Sequence, residues 1–241
     1  MDVSGISVRL INFFNSLVGH TKHGTAMVCV IVACFFAAIS GSGPATVAAL
    51  GGILIPAMSK SGYEKDTSAA LMSTAGAIGI VIPPSITFVV YGSVTGTSVG
   101  DLFMAGIIPG ILIGVAIYFT MVISSRGCNL VRQPKASGKE RWKAFGDAVW
   151  GILMPVIILG GIYGGIFTPT EAAAVSAIYG LIVGVFIYKT LRFKEIVVIL
   201  RQSVSQTAVV MLIIGCAAVF GKVLTFTGLA SDASQSLISI A

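Results

Sequence analysis

Long stretches without a charged side chain constrain this chain more than any other feature of its sequence. Asp, Glu, Lys and Arg are absent from residues 24–59, 67–100, 102–125, 148–170 and 202–221. An apolar run of roughly 18 or more residues predicts a membrane span. Only 10% of the chain is charged, whereas soluble proteins carry about 25%. The sequence therefore predicts an all-α integral membrane protein, built as a multi-span helical bundle in a lipid bilayer.

The positive charges are concentrated in two short segments between predicted spans. Ten of the fifteen Lys and Arg residues belong to these segments: Arg126, Arg132, Lys135, Lys139, Arg141, Lys143, Lys189, Arg192, Lys194 and Arg201. Short cation-rich loops beside spans remain in the cytoplasm, so we expect both segments there. The net charge of +6 reflects this orientation and does not indicate nucleic-acid binding.

The first charge-free run, residues 24–59, is too long for one span and too short for two full spans with a turn. Its middle reads SGSGPAT, from Ser40 to Thr46. Non-helical backbone at membrane depth is tolerated only where protein buries it or where it lines a wet cavity. We therefore predict a re-entrant hairpin that turns at this tip and leaves the membrane on the side where it entered.

The second run, residues 67–100, is interrupted by GIVIPPS, from Gly79 to Ser85. Pro83 and Pro84 lack backbone N–H groups and disfavour helix before them. The pattern predicts one span that is broken in its middle. A single crossing here also agrees with a cytoplasmic position for the segment that begins at Arg126.

The tip and the break are the candidate binding elements because both free carbonyl groups from helical hydrogen bonds. Carbonyl oxygens together with Ser or Thr hydroxyls suit a hard cation such as sodium. Amide groups exposed at the starts of half-helices suit an anion such as a carboxylate. Discontinuous helices near the middle of the membrane indicate a transporter. A packing kink stabilised by neighbouring helices is the alternative interpretation.

The motif Thr168-Pro-Thr-Glu171 permits two interpretations. Thr168 fits a helix N-cap, Pro169 the first helical position and Glu171 the returning contact of a capping box. The alternative is a direct ligand or proton-transfer role for Glu171. Elsewhere, Asp66 is expected to cap the helix that enters the broken span.

Four segments carry a resemblance to a known family. They read ISGSGPATVAALGGILIPAMSKSGY (39–63), GAIGIVIPPSITFVVYG (76–92), LFMAGIIPG (102–110) and GIFTPTEAAAVSAIYG (165–180). Together they resemble the large membrane subunit (DctM-like) of tripartite ATP-independent periplasmic (TRAP) transporters. The resemblance extends over nearly the whole chain, and the motifs follow the family's order.

This resemblance implies a fold, a function and a set of partners. The fold would consist of two inverted repeats that work as an elevator, each contributing a re-entrant hairpin and a broken helix. The function would be sodium-coupled symport of organic acids, of the C4-dicarboxylate or sialic acid type, across the bacterial inner membrane. The partners would be a small membrane subunit, a periplasmic substrate-binding protein and an organic anion substrate. No cofactor is expected apart from Na⁺ as the coupling ion.

The resemblance also implies a sodium site between the first hairpin tip and the first broken helix. Matched onto this sequence, it comprises Ser40 in the tip and three backbone carbonyls in the break, those of Gly79, Ile82 and Pro84. The surrounding backbone of the ion or substrate site would come from Gly41, Ser42, Gly43, Thr46, Pro83 and Ser85. Sodium is the only metal that the resemblance implies.

The predicted organisation has four parts. Residues 1–23 form an amphipathic or interfacial helix, and residues 24–125 hold the hairpin, the broken helix and the following span of the first repeat. Residues 126–147 form a cytoplasmic basic loop, and residues 148–241 hold the first spans of the second repeat. Since the chain is shorter than members of the family, we expect a fragment that stops before the second hairpin.

Three other functions compete with this prediction. The first is a single-component sodium/dicarboxylate or citrate-type carrier of similar two-repeat fold. The second is a membrane-embedded enzyme, which would need positioned acid–base or metal groups. The predicted membrane core offers no His and no pair of carboxylates, so no enzymatic activity is expected. The third is a structural scaffold, which two adjacent polar breaks disfavour.

Overall fold

The structure, a computed structural model, describes residues 5–228 apart from the side chain of Phe193. The described residues form α-helices and no strand, which confirms the prediction of an all-helical protein. The helices are α1 (Ile6–Val18), α2 (Gly24–Ser40), α3 (Gly43–Lys60), α4 (Lys65–Ala77), α5 (Ile86–Thr95), α6 (Val99–Ser124), α7 (Gly138–Tyr163), α8 (Pro169–Ile182) and α9 (Phe193–Phe226). A 3₁₀ turn, Ile78–Ile80, follows α4, and a π-helical turn, Val183–Ile187, follows α8.

Among the described residues, four helical segments are long and apolar enough to cross a membrane. They are Val99–Ser124, Gly138–Tyr163, Pro169–Ile187 and Lys194–Phe226. Each coincides with a stretch that the sequence predicts as a span. Their exposed apolar side chains are suited to contact with lipid, because lipid rather than water is the solvent inside the bilayer.

The described residues divide into two compact units on either side of the bond between Leu191 and Arg192. In the first unit, α2 is the central helix and packs against α1, α3, α4, α6 and α7. The core around it consists of aliphatic and aromatic side chains, among them Leu10, Val32, Phe36, Leu54 and Met72, all of which are buried. The second unit contains α9, a single helix of 34 residues.

Glycines on α6 allow the break after α4 to approach this helix closely. A methyl group placed on Gly106 would lie 2.6 Å from the carbonyl oxygen of Val81. One placed on Gly110 would collide with the side chain of Ile82. Small residues at helix interfaces permit such backbone contact in membrane proteins. Helix α6 therefore holds the break at a fixed position beside α2.

Two expectations differ from the structure. The basic segment 126–147 is non-helical only as far as Ser137, because Ser137 and Glu140 form a capping box that starts α7 at Gly138. Asp66 does not cap α4: the N-cap is Glu64, and Asp66 lies in the first turn, where its carboxylate still complements the helix dipole. The ends of the predicted first and last parts, residues 1–4 and 229–241, lie outside the described residues.

Candidate functional site at the hairpin tip and the helix break

The hairpin connection between α2 and α3 consists of two residues. Gly41 adopts a left-handed conformation, with φ of 62°, and its N–H donates to the carbonyl of Ala37 to close α2. Ser42 is extended and precedes the first residue of α3. Side chains with a Cβ rarely adopt the left-handed region, so glycine at position 41 permits this tight reversal.

Two hydroxyl groups converge on the carbonyl of Ser42. The Oγ of Ser40 lies 3.2 Å from this oxygen and donates to it, and the Oγ1 of Thr46 donates to it across 2.9 Å. The two hydroxyl oxygens are themselves 3.0 Å apart. The Oγ of Ser40 also accepts a bond from the N–H of Ser42, at 3.3 Å. A hydroxyl has two acceptor positions, so one remains on Ser40 for a cation.

The break between α4 and α5 leaves several carbonyl groups without helical partners. Pro83 and Pro84, joined by a cis peptide bond, have no N–H to offer the preceding turn. The hydroxyl of Ser85 donates to the carbonyl of Ile80 across 2.6 Å. Within the described residues, no hydrogen bond reaches the carbonyl oxygens of Gly79, Ile82 and Pro84.

The tip and the break are in direct backbone contact. The N–H of Ile86, the first residue of α5, donates to the carbonyl of Gly41 across 3.1 Å. A methyl group on Gly41 would lie 2.7 Å from the carbonyl oxygen of Pro84. On Gly79 it would lie 3.1 Å from the carbonyl carbon of Ser42. Two glycines therefore allow two irregular stretches of backbone to touch.

The structure brings most of the predicted site residues together. Gly41, Ser42 and Gly43 contact the break, and Ser40 and Thr46 are bonded to the same connection. Gly79, Pro84 and Ser85 supply the opposite side. The side chain of Ile82 packs against Gly110 of α6 instead of the tip, and Pro83 is buried.

A cavity of about 210 Å³ adjoins this contact. Its lining comes from the end of α2, the tip, the break and helices α5 to α8: Ile39, Ser40, Gly41, Pro84, Ser85, Ile86, Val89, Phe103, Ile158, Ile162, Pro169, Ala173 and Ser176. The residues of α7 and α8 were not predicted as part of a site. Their helical spacing, Ile158 with Ile162 and Ala173 with Ser176, was visible, but it does not distinguish a cavity wall from ordinary packing.

None of the described residues that line the cavity has an ionisable side chain. Its polarity comes from hydroxyls and backbone; α5 begins in its lining, at Ile86, and α3 begins two residues after the lining residue Gly41. The N-caps of α3 and α5 are Ser42 and Ser85, and neither side chain caps its helix. The first amide groups of a helix carry partial positive charge. The arrangement can therefore bind an anion through amides and a cation through carbonyls without a titrating group.

Thr168 and Glu171 form a capping box at the start of α8. The N–H and the hydroxyl of Thr168 donate to the carboxylate of Glu171, at 2.8 and 2.9 Å, and the N–H of Glu171 donates to Thr168. Glu171 is exposed, and its neighbour Pro169 is the residue that reaches the cavity.

Comparison with known proteins gives a match along the whole sequence. The family described as "Tripartite ATP-independent periplasmic transporter, DctM component" matches residues 1–241. The C4-dicarboxylate TRAP transporter large permease protein DctM of Pseudomonas aeruginosa is 46% identical over 225 residues, which are 93% of this chain and 53% of the relative.

Two further relatives carry different substrate names. The isethionate TRAP transporter permease protein DctMQ of Oleidesulfovibrio alaskensis is 42% identical over 243 residues, covering 100% of this chain and 38% of the relative. The sialic acid TRAP transporter large permease protein SiaM of Vibrio cholerae is 40% identical over 221 residues, covering 92% and 52%. The chain spans about half the length of the curated relatives it matches, and less of the DctMQ protein.

Proposed function

Because the chain belongs to the DctM component family of tripartite ATP-independent periplasmic transporters, we propose that it is part of the membrane permease of a sodium-coupled organic-acid importer. It is a multi-pass protein of the bacterial inner membrane. The relatives are named for a C4-dicarboxylate, for isethionate and for sialic acid. All three solutes are organic acids that are anionic at neutral pH, so the proposed substrate of this chain is an organic anion.

The proposed complex has the three parts that the family description names as tripartite. A periplasmic binding protein captures the anion and delivers it to the permease, and a small membrane subunit completes the permease. The whole protein's transport activity is proposed for the full-length chain, because the sequence spans about half of its relatives.

The proposed architecture treats α2 and α3 as a re-entrant hairpin and α4 and α5 as the halves of a broken span. Residues 24–125 then hold these elements and the following span of a first repeat, after an amphipathic segment at 1–23. The segment 126–147 is proposed to be cytoplasmic, and 148–241 to begin an inverted second repeat. In this proposal the hairpin and the broken span move together as an elevator.

The observation that carries the mechanism is the contact between tip and break. The bond from Ile86 to Gly41 joins the start of α5 to the connection that precedes α3. Sodium is proposed to bind the Oγ of Ser40 and the carbonyls of Gly79, Ile82 and Pro84, whose oxygens receive no bond from other described residues. Unsatisfied polar groups at membrane depth cost several kcal/mol, so a bound cation stabilises this arrangement.

Sodium binding is proposed to couple to anion binding through the two helix starts. A cation that fixes the tip against the break also fixes the uncapped starts of α3 and α5. The N–H of Ile86 is taken by the carbonyl of Gly41, and the remaining amide groups of these first turns then lie in place for a carboxylate or sulfonate. Pre-organisation of this kind raises the affinity for the second ligand.

The substitution Ser40→Ala tests the proposed sodium site. In the full-length protein, reconstituted with its partners, it should raise the sodium concentration for half-maximal uptake, because one ligand oxygen is lost. The matched control is Ser93→Ala on α5, whose exposed hydroxyl donates only to the carbonyl of Val90 and whose loss should leave sodium dependence unchanged. Gly79→Val should reduce uptake more than Ser40→Ala does, because its branched side chain would collide with the backbone of Ser42.

Two results would contradict this function. Sodium dependence that is identical in Ser40→Ala and in Ser93→Ala, at every substrate concentration, would show that the tip is a packing kink. Rapid uptake by the large subunit without its partners would favour a single-component carrier. The two measurements separate failure of the sodium site from failure of the proposed assembly.

A further inference from the structure

A buried hydroxyl group lies next to the tip of the hairpin. Thr46, near the start of α3, is fully buried, and it does not belong to the lining of the cavity, whereas Ser40 does. The hydroxyl oxygens of the two residues are 3.0 Å apart. Any effect of Thr46 on the cavity therefore has to pass through a neighbour that lines it, and Ser40 is the neighbour to which its hydroxyl is bonded.

The hydroxyl proton of Thr46 is bound by the backbone. The Oγ1 of Thr46 donates to the carbonyl of Ser42 across 2.9 Å, and the N–H of Thr46 donates to the same oxygen across 3.1 Å. A carbonyl oxygen has two acceptor positions, and these two bonds fill them. The Oγ1 of Thr46 retains its own acceptor positions for a hydroxyl donor.

The hydroxyl proton of Ser40 is consequently directed toward Thr46. A hydroxyl carries one proton, and two oxygens lie near it: the Oγ1 of Thr46 at 3.0 Å and the carbonyl oxygen of Ser42 at 3.2 Å. The Oγ1 of Thr46 is the closer acceptor and the one whose acceptor positions are not already filled. Hydrogen bonds between two oxygens are usually about 2.5–3.0 Å long, so the carbonyl of Ser42 is the weaker acceptor for this proton.

A hydroxyl that binds a cation has to turn its proton away from the ion, because the two positive charges repel. The N–H of Ser42 donates to the Oγ of Ser40 across 3.3 Å, which occupies one of the two acceptor positions on that oxygen. With its proton held toward Thr46, Ser40 presents the other acceptor position to a cation. Without the hydroxyl of Thr46, the hydroxyl of Ser40 can rotate and bring its proton in front of the ion.

We propose that Thr46 is a positioning residue that orients the hydroxyl of Ser40 for sodium. This inference rests on the proposed sodium site and adds to it a side chain that does not touch the ion. Thr46 accepts the proton of Ser40 and donates its own proton to the carbonyl of Ser42, so that one chain of hydrogen bonds fixes the ligand on the connection. Loss of one such bond corresponds to a decrease of about three- to tenfold in sodium affinity.

The substitution Thr46→Val tests the proposal in the full-length protein, reconstituted with its partners. Valine keeps the branched shape of threonine and lacks the hydroxyl. The sodium concentration for half-maximal uptake should rise about three- to tenfold, with the maximal rate unchanged. Thr46→Ser, which keeps the hydroxyl, should restore the original value. Added to Ser40→Ala, Thr46→Val should cause no further change, because the hydroxyl that it orients is already absent.

The matched control is Thr25→Val, at the opposite end of the same hairpin. Thr25 and Ser61 are both buried, and their hydroxyl oxygens are also 3.0 Å apart. Loss of the hydroxyl of Thr25 should lower the melting temperature of the purified protein, as loss of the hydroxyl of Thr46 does. It should leave the sodium dependence of uptake unchanged. If Thr46→Val does not fold, Thr46→Ala removes the same hydroxyl and is judged by the same measurements.

Two results would overturn this proposal alone. Equal sodium dependence in Thr46→Val and Thr25→Val would mean that Thr46 contributes only to packing. A further shift when Thr46→Val is added to Ser40→Ala would mean that Thr46 acts independently of Ser40. A third result, unchanged sodium dependence in Ser40→Ala itself, would overturn the proposed sodium site and this proposal with it, so the two failures are distinguishable.

Discussion

Helices begin in two different ways in this protein. Helices α7 and α8 each begin with a capping box, at Ser137 with Glu140 and at Thr168 with Glu171. Helices α3 and α5 also begin after a serine, but neither Ser42 nor Ser85 caps its helix through its side chain. The capping boxes are exposed, whereas the uncapped starts lie against one another at the tip and the break.

The difference identifies the helix starts whose first amide groups are not bonded to a capping side chain. At α7 and α8, the protein's own side chains satisfy the first amide groups, as in most helices. At α3 and α5, the nearby hydroxyls bond to carbonyls instead: Thr46 to Ser42, and Ser85 to Ile80. The N–H of Ile86 already donates to the carbonyl of Gly41, so only the later amide groups of these first turns are left for another acceptor. Helices α1, α2 and α4 also begin without a side-chain cap, so what distinguishes α3 and α5 is that their starts lie against each other at the tip and the break.

The largest effect is expected from a methyl group at the uncapped tip. Gly41→Ala forces alanine into the left-handed region and places its Cβ 2.7 Å from the carbonyl oxygen of Pro84. Together these should lower the free energy of unfolding by about 2–4 kcal/mol. Thermal unfolding of the purified protein measures this as a lower melting temperature.

The matched control for that substitution is Gly52→Ala in α3. A methyl group at Gly52 would meet nothing within 4 Å, and alanine favours a helix over glycine by about 0.5–1 kcal/mol. Its melting temperature should be equal to or above that of the unmodified protein. If Gly41→Ala and Gly52→Ala had the same melting temperature, that result would contradict the close contact between the tip and the break.

A smaller loss is expected from Ser85→Ala. Ser85 is buried, and its hydroxyl satisfies the carbonyl of Ile80, so its removal leaves a buried acceptor unpaired at a cost of about 1–3 kcal/mol. Ser93→Ala, at an exposed position of α5, should change the free energy of unfolding by less than about 0.5 kcal/mol. Denaturant titration of both variants compares them, and equal midpoints would mean that Ser85 has no structural role at the break.

Much of the fold could be predicted from local pattern. The charge-free runs mark the four candidate spans, because lipid selects for apolar composition directly. The extension of α7 to Gly138 was missed, although Ser137 and Glu140 have the spacing of a capping box, because the abundant charge indicated a loop. The N-cap of α4 was placed at Asp66 because Asp is a preferred N-cap residue and Glu is not, whereas the backbone begins the helix after Glu64 without a side-chain cap.

The candidate site was accessible to prediction only in part. Glycine, proline and hydroxyl residues identify the tip and the break, because each is required locally for a non-helical turn. The bond from Ile86 to Gly41 joins residues that are far apart in sequence, and no local pattern encodes it. Ile158 and Ser176 form part of the cavity wall, and their position there depends likewise on how α7 and α8 pack.

The smallest effect concerns the capped start of α8. The N–H and the hydroxyl of Thr168 donate to the carboxylate of Glu171. A neutral amide oxygen is a weaker acceptor than a carboxylate, so Glu171→Gln should lower the melting temperature slightly. The control is Glu64→Gln, whose exposed carboxylate accepts no hydrogen bond from the described residues and whose melting temperature should stay unchanged. Because the capped start lies outside the tip and the break, Glu171→Gln should leave the sodium dependence of uptake unchanged. A sodium dependence altered as in Ser40→Ala would show that the two kinds of helix start are not separate in function.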